Sequence, residues 1–336
     1  PPVVAPPPPV VAPPPPVVAP PPPVVAPPPP GVAPPPPPPI VANGDPVIAA
    51  AGDIACDPGQ PNFNGGAGAS DACRQMATSD LLLGGKYDAV LALGDTTYYC
   101  SSYSSFTASF DPSWGRVKSL IRPVTGNHDY LTQAGTLPGG AGCDATNAGA
   151  AGYFKYFGSA AGAPSGGYYS YDIGTWHLVA LNSQCGQSGG CGPNSSQAKW
   201  LASDLAAHAG RCVLAYWHIP VFSSGGRASP SMTYIWKVLR DAGADVVLTG
   251  HDHTYERFAP QNETGSPDPA RGIREFVVGT GGANHTSFVN TAANSEVRND
   301  ATFGVLRMVL HAGSYSWEFV AEKGASFTDA GSDVCH

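Results

Sequence analysis

Short apolar runs alternate with helical patterns along most of this chain. Residues 46–51 read Pro-Val-Ile-Ala-Ala-Ala and stop at Gly52, the pattern of a short buried strand. Residues 70–83 carry a helical pattern closed by Gly84-Gly85, which reads as a C-cap. Residues 88–93 and 121–125 are two further apolar runs, so a β-α-β-α-β order is expected, and with it a parallel sheet. Residues 167–172 and 176–181 read as antiparallel strands around a turn at Gly174. Helices are expected over 195–208 and 232–241, each followed by a strand, 212–217 and 244–249. Strands over 272–278, 303–310 and 314–321 complete the pattern. The simplest architecture is α/β, with two packed sheets and helices outside.

The first 42 residues break this pattern. They repeat Pro-Pro-Pro-Pro-Val-Val-Ala with a period of seven, and 24 of the 37 prolines fall within the first 39 positions. Proline removes backbone donors and clashes inside a helix, so polyproline II is the expected form rather than a coiled coil. At about 3.1 Å per residue such a segment would reach on the order of 120 Å. Residues 1–42 are therefore expected to be an extended proline-rich spacer, with a ligand for Pro-recognising domains or a stalk in association with the cell wall as the sharper readings. Residues 43–336 are expected to form the catalytic domain.

The formal net charge of −8 implies no basic face for nucleic acid or anionic membrane. It also repels phosphate at long range, so anion binding has to be local, and metal ions supply such local charge. Eight cysteines without a CxxC pair argue for disulfides and an oxidising compartment rather than thiolate zinc. Eight allow 105 pairings; the two we favour are Cys185 with Cys191, across a Gly-rich turn, and Cys56 with Cys73. The chain starts at Pro1 rather than Met and reads as processed or trimmed. A secreted or cell-envelope location is the expectation.

Five segments carry the chemistry. They are Gly52-Asp53, Gly94-Asp95 with Tyr98, Gly126-Asn127-His128-Asp129, His218 after an apolar run, and Gly250-His251-Asp252-His253. Each stands where an apolar run gives way to a loop, the place where α/β sheets gather their sites. Singly, an Asp after a strand is more often a turn or cap residue, and a lone His more often a packed one. Jointly they offer hard carboxylates, an amide oxygen and imidazoles, a donor set for Fe, Mn or Zn. Two such metals about 3.5–4 Å apart clamp the attacking and leaving oxygens of a displacement at phosphorus.

In these motifs the chain resembles the calcineurin-like metallophosphoesterase superfamily, with its D-x-[HG], GDxx[DY], GNH[DE], lone His and GHxH segments. Within it, the chain is most similar to the purple acid phosphatases. Ala55 stands where most members have a ligating His, and Gly94-Asp95-Thr96-Thr97-Tyr98 supplies a tyrosine instead. The resemblance implies a ββ sandwich flanked by helices, in four αββα layers. It implies one metal on Asp53, Asp95, Tyr98 and His253, and a second on Asp95, Asn127, His218 and His251, with Asp95 bridging. A phenolate ligand suits Fe(III), so the expected pair is Fe(III) with Fe(II), Zn(II) or Mn(II). The implied activity is hydrolysis of phosphomonoesters by a metal-bound hydroxide. His128 is the implied general acid, with Asp129 orienting or charging it. The alternatives are a phosphodiesterase acting on nucleotides or lipid headgroups, and a non-catalytic surface-displayed binding protein.

Three features depart from the family or lie outside the motif set. The proline repeat stands where plant members carry a fibronectin-like domain. The loop 221–227 lacks the histidines of plant members but contains Arg227, either a phosphate clamp or a solvated loop residue. His177 reads as structural, His208 as a helix-end cation, and the Gly-rich run before His285 as a tight loop without P-loop features.

Overall fold

Val47–Ala51, four of whose residues are buried, forms a strand with neighbours on both edges. The computed structural model describes Pro1 and residues 44–133, 143 and 145–336. The expected spacer over 1–42 thus lies outside the described residues apart from Pro1. One sheet has six strands in the order Ala330–Val334, Ser314–Ala321, Gly304–His311, Val47–Ala51, Ala89–Ala92 and Ile121–Pro123. Its last three strands run parallel, as the expected β-α-β-α-β order requires. A second sheet has seven strands in the order Ser295–Asn299, Tyr255–Phe258, Arg274–Val278, Val246–Thr249, Cys212–Tyr216, Trp176–Ala180 and Tyr169–Ile173. Its four central strands are parallel.

Strands buried on both faces read as unbroken apolar runs, yet their side chains still alternate. Cys212, Leu214 and Tyr216 enter the core between the sheets, with Ile48, Leu91, Phe276 and Leu306. Val213 and Ala215 face the other way, onto Leu201 and Leu205 of helix Ser196–Ala207 and Ile235, Trp236 and Leu239 of helix Thr233–Asp241. Ser195 caps the first of these helices by accepting from Ala198 N at 3.2 Å. On the first sheet, helix Gln75–Gly84 and the 3-10 segment Trp114–Leu120 pack together, joined by a Trp114 Nε1 bond to Thr78 Oγ1 at 3.0 Å. The result is a mixed α/β sandwich with helical elements on both sides.

Several elements differ from expectation. The helix expected over 70–83 begins at Gln75, because Cys73 takes a φ of 62° and is tied to Cys56. It ends at Gly84 as expected, but Gly85 is extended, with φ −89° and ψ 166°, not left-handed. The second crossover is no regular α-helix; it is a short turn, a π segment Phe106–Phe110 and the 3-10 segment. Its serines explain this. Ser113 Oγ bonds Ser109 O at 2.8 Å and Ser109 Oγ bonds Cys56 O, so side chains compete for the helical partners. The strands Tyr255–Phe258, Ser295–Asn299 and Ala330–Val334 were not expected from the pattern. The last two are edges with half-exposed polar residues, and Tyr255–Phe258 hides a buried Glu256.

All eight cysteines pair: Cys56–Cys73, Cys100–Cys143, Cys185–Cys191 and Cys212–Cys335. Both favoured pairs are among them. Cys212–Cys335 joins the C-terminal end of the six-stranded sheet to a central strand of the other across 123 residues of sequence. Closing so long a loop in the unfolded chain is worth about 4–5 kcal/mol in the chain-entropy account. A Cys212→Ser/Cys335→Ser variant should lose stability of that size in guanidinium unfolding under non-reducing conditions. A loss below about 1 kcal/mol would show that this bridge is not what joins the sheets.

Candidate metal centre

The parallel strands of both sheets end on one edge, where main-chain bonds join the sheets. Gly52 N donates to Val278 O at 2.8 Å and Gly281 N to Gly52 O at 2.9 Å. Asp53 and Asp95 follow Val47–Ala51 and Ala89–Ala92, and Asn127 follows Ile121–Pro123. His218 and His251 follow Cys212–Tyr216 and Val246–Thr249. Three of these residues are held in the left-handed region although they are not glycine: Asp53 at φ 60°, Asp95 at 47° and His251 at 70°. Each such residue costs on the order of 1–3 kcal/mol, and such strain gathers at functional sites. Local bonds offset it. Asp53 Oδ2 accepts from His251 N at 2.8 Å, and Asp129 Oδ2 accepts from Asp95 N at 3.1 Å. The turns also need glycine: a Cβ on Gly126 would stand 2.1 Å from Asp95 Oδ1.

All seven residues expected as metal ligands meet here, in two groups of four that share one atom. In the first, Tyr98 Oη lies 2.6 Å from Asp53 Oδ1, 2.9 Å from Asp95 Oδ2 and 3.0 Å from His253 Nε2. In the second, His218 Nε2 lies 3.1 Å from Asp95 Oδ2, 3.2 Å from Asn127 Oδ1 and 3.2 Å from His251 Nδ1. Asp95 Oδ2 is common to both. Asp53, Asp95, Tyr98, His218 and His253 are buried, whereas Asn127, His128 and His251 are half-buried and form the open side.

Counting protons tests whether this set fits cations. Main-chain carbonyls can only accept, so they fix the imidazole tautomers. His218 Nδ1 donates to Leu93 O at 2.8 Å and His253 Nδ1 to Asn284 O at 2.8 Å. In the neutral rings both Nε2 atoms therefore carry bare lone pairs into the site. Tyr98 then has one proton for three acceptors. In the second group the one proton a neutral His251 can bring, on Nδ1 toward His218 Nε2, leaves the oxygens of Asp95 and Asn127 converging without a donor. Lone pairs converging in excess of protons are what a cation resolves, and the donors are hard oxygens and imidazole nitrogens without a thiol. Carbonyl-oriented imidazoles are the usual outer support of metal ligands.

The electrostatics agree. Burial works against ionising Asp95, yet the charges of His218 and His128 hold its carboxyl well below the usual range. Asp53 is likewise lowered against its burial, by His253. His218 is raised to about 9 despite burial, through Asp95, while burial and the charge of His218 bring His251 down to about 4. Burial and the carboxylates of Asp53 and Asp95 push the Tyr98 phenol well up. Only a strong Lewis acid would displace that proton.

His128 and Asp129 behave differently from each other. His128 Nδ1 donates to Tyr99 O at 2.7 Å, its backbone N donates to Asp95 Oδ1 at 2.8 Å, and its ring stands 4.5 Å from that of Tyr98. Asp129 does not orient His128. Its fully buried carboxylate is taken up by Gly126 N at 2.7 Å, Asp95 N, Thr96 Oγ1 at 2.6 Å and Ser101 Oγ at 2.5 Å. It clamps the two turns that carry Asp95 and Asn127. Burial and the nearby Asp95 charge raise its pKa, with the Gly126 bond opposing. The carbonyls of Leu93, Tyr99 and Asn284 leave no mark in the sequence. His177 lies elsewhere, buried between Asp172 and Asp204 at 2.9 and 2.8 Å, with His208 stacked on it.

Comparison with known proteins gives a consistent picture. The chain is 29% identical over 128 residues to Purple acid phosphatase 18 of Arabidopsis thaliana, covering 36% of this chain and 28% of that protein. It is 32% identical over 100 residues to Purple acid phosphatase 21 of the same plant, covering 28% and 22%. The chain thus spans less than a third of the length of these relatives. Among solved structures, a purple acid phosphatase from yellow lupin (Lupinus luteus) seeds matches with a TM-score of 0.66 and 16% identity, over 88% of this chain and 55% of that one. The structure of PhoD matches with a TM-score of 0.56 and 15% identity, over 89% and 70%. These structural likenesses show the fold. The family profile for calcineurin-like phosphoesterases matches residues 46–255, most of the sandwich and every motif named above. The chain belongs to the calcineurin-like phosphoesterase family.

Proposed function

We propose that this protein is a dinuclear metal-dependent phosphatase of the purple acid phosphatase type, acting on phosphomonoesters outside the cell or in its envelope. The observation that carries the reading is the sharing of Asp95 Oδ2 between two four-atom donor groups. Asp53, Asp95, Tyr98 and His253 would hold one ion, and Asp95, Asn127, His218 and His251 the other. Two bound cations supply Lewis-acid activation of water and of the phosphoryl oxygens. The phenol of Tyr98 favours Fe(III) at the first position, with Fe(II), Zn(II) or Mn(II) at the second. His128 has its Nδ1 proton fixed on Tyr99 O, which leaves Nε2 to carry a proton to the departing oxygen. Asp129 keeps the metal-bearing turns in register. Four disulfides support an oxidising location.

The test is metal analysis and a visible spectrum of the native protein, with a chromogenic panel of matched mono- and diesters. Two metals per chain, monoester preference and a phenolate-to-iron absorption band are expected, and Tyr98→Phe should bleach the band. Unchanged colour in Tyr98→Phe would remove iron from that site while sparing the enzyme class. Diester preference would establish the phosphodiesterase alternative. Protein carrying two metals that hydrolyses neither ester would leave only the binding-protein alternative.

A further inference from the structure

His177 sits near the start of strand Trp176–Ala180, at the end away from the metal ligands, since that strand runs parallel to Cys212–Tyr216 and His177 pairs with Val213. It is buried and stands across the hairpin from Asp172. Its Nδ1 lies 2.9 Å from Asp172 Oδ1, and its Nε2 lies 2.8 Å from Asp204 Oδ2, on helix Ser196–Ala207. Both ring nitrogens thus face carboxylate oxygens, which only accept when ionised. A neutral imidazole has one N–H, so one of its nitrogens would set a lone pair against an oxygen lone pair. The line Asp172–His177–Asp204 needs two protons, and the imidazole is the most basic of its three groups.

The surrounding charges call for the same count. Arg211 Nη1 lies 3.4 Å from Asp172 Oδ2 and answers that carboxylate. The side chain of Asp204 is 12% exposed and accepts from Ser170 Oγ at 2.8 Å, and no lysine or arginine pairs with it among the described residues. His208, at the end of the helix, donates from Nδ1 to Asp204 O at 2.7 Å, with Asp204 Oδ1 3.8 Å away. Its ring lies on that of His177, with centroids 3.8 Å and planes 13° apart. Ligand atoms of Asp172, His177 and His208 stand within 4.8 Å of one another, but parallel rings cannot aim their in-plane lone pairs at one ion. Burial works against a charge on His177, yet the bonds and charges of Asp204 and Asp172 hold its imidazole above the ordinary range.

We infer that His177 is an imidazolium clasp between Asp172 and Asp204, which ties strand Tyr169–Ile173 to the end of helix Ser196–Ala207 and opens as the pH rises. Among the described residues that strand is the edge of its sheet, with Trp176–Ala180 as its neighbour, so the clasp gives it a second attachment. The sign follows from proton binding. A proton held more tightly in the folded chain stabilises the fold fully below the ordinary imidazole value of about 6.5, and that contribution is lost as the pH passes the raised value. Deprotonation leaves Asp204 enclosed without a counter-charge and turns a bare nitrogen on a carboxylate. The clasp is remote from the metal centre and does not depend on the phosphatase reading.

The experiment uses the full-length protein, labelled at histidine and followed by heteronuclear NMR from about pH 6 to pH 9. The His177 signals are identified by their absence in His177→Gln or their displacement in Asp204→Asn. Both ring nitrogens should carry protons at about pH 7, and the ring should titrate above about 6.5. Asp204→Asn removes one carboxylate and should bring that titration down by about one pH unit or more. In thermal unfolding His177→Gln should melt about 5 °C below wild type at about pH 6, and the gap should close as the pH rises. Should His177→Gln fail to fold, the wild-type and Asp204→Asn titrations still decide. A His177 ring with one protonated nitrogen at about pH 7, a titration unmoved in Asp204→Asn, or a melting gap that stays constant or widens with pH would each overturn the clasp. So would a metal ion bound by Asp172, His177 and His208, detected as a third metal per chain that is lost in His208→Ala.

Discussion

Asp95→Ala is expected to remove both metals and to lower phosphoester turnover by about 10⁴-fold or more, because the several kcal/mol of charge stabilisation supplied by cations are lost together. The reason is geometric. Among the described residues, Asp95 Oδ2 is the one atom within bonding reach of both Tyr98 Oη and His218 Nε2, at 2.9 and 3.1 Å. Loss of Asp53 or Asn127 would remove a donor from one group only. Asp95 Oδ1 has a second duty, accepting from His128 N at 2.8 Å, so alanine also frees the turn that carries the proposed general acid. Asp95→Asn separates the two effects, since an amide oxygen can still accept from His128 N but cannot bridge two cations with a full charge. Both variants should contain well under one metal per chain while unfolding cooperatively. A variant that keeps two metals would break the assignment of Asp95 as the bridge.

What the chain announced in advance differs between ligands and their supports. The ligands stand in contiguous motifs at the ends of apolar runs, so Asp53, Asp95, Asn127, His218, His251 and His253 could be picked out by position. Their orientation depends on main-chain carbonyls of Leu93, Tyr99 and Asn284, and a carbonyl has no residue signature. Adjacency in sequence misled for Asp129. In the 3-10 turn His128–Tyr130 consecutive side chains diverge, and Asp129 turns inward to five donors while His128 turns to Tyr99 O. The same limit governed the disulfides. Cys56–Cys73 and Cys185–Cys191 span 17 and 6 residues and can be proposed locally. Cys100–Cys143 and Cys212–Cys335 span 43 and 123, too far apart along the chain for a local turn to pair them. Glu256 is a further case. Its burial looks costly until Ser224 and Ser295 are seen to satisfy it, and Ser295 belongs to an edge strand too polar to be read as one.

His128→Ala tests the division of labour between cation binding and proton transfer. Among the described residues the His128 Nε2 makes no bond to either donor group, its Nδ1 donates to Tyr99 O, and the ring sits on the half-buried side with Asn127 and His251. Removing it should leave two metals per chain and cut turnover by about 10²–10⁴-fold, the range of a lost general acid. The size of the loss should depend on the leaving group. An alkyl alkoxide needs a proton as the bond to phosphorus breaks, whereas a nitrophenolate departs without one, so alkyl phosphates should suffer near the upper end of the range and nitrophenyl phosphate near the lower. A role confined to packing against Tyr98, 4.5 Å away, would slow every ester alike. Equal losses across leaving groups would therefore remove His128 as the acid, and loss of metal along with activity would make it a support of the Asp95 turn, reached through the His128 N bond to Asp95 Oδ1.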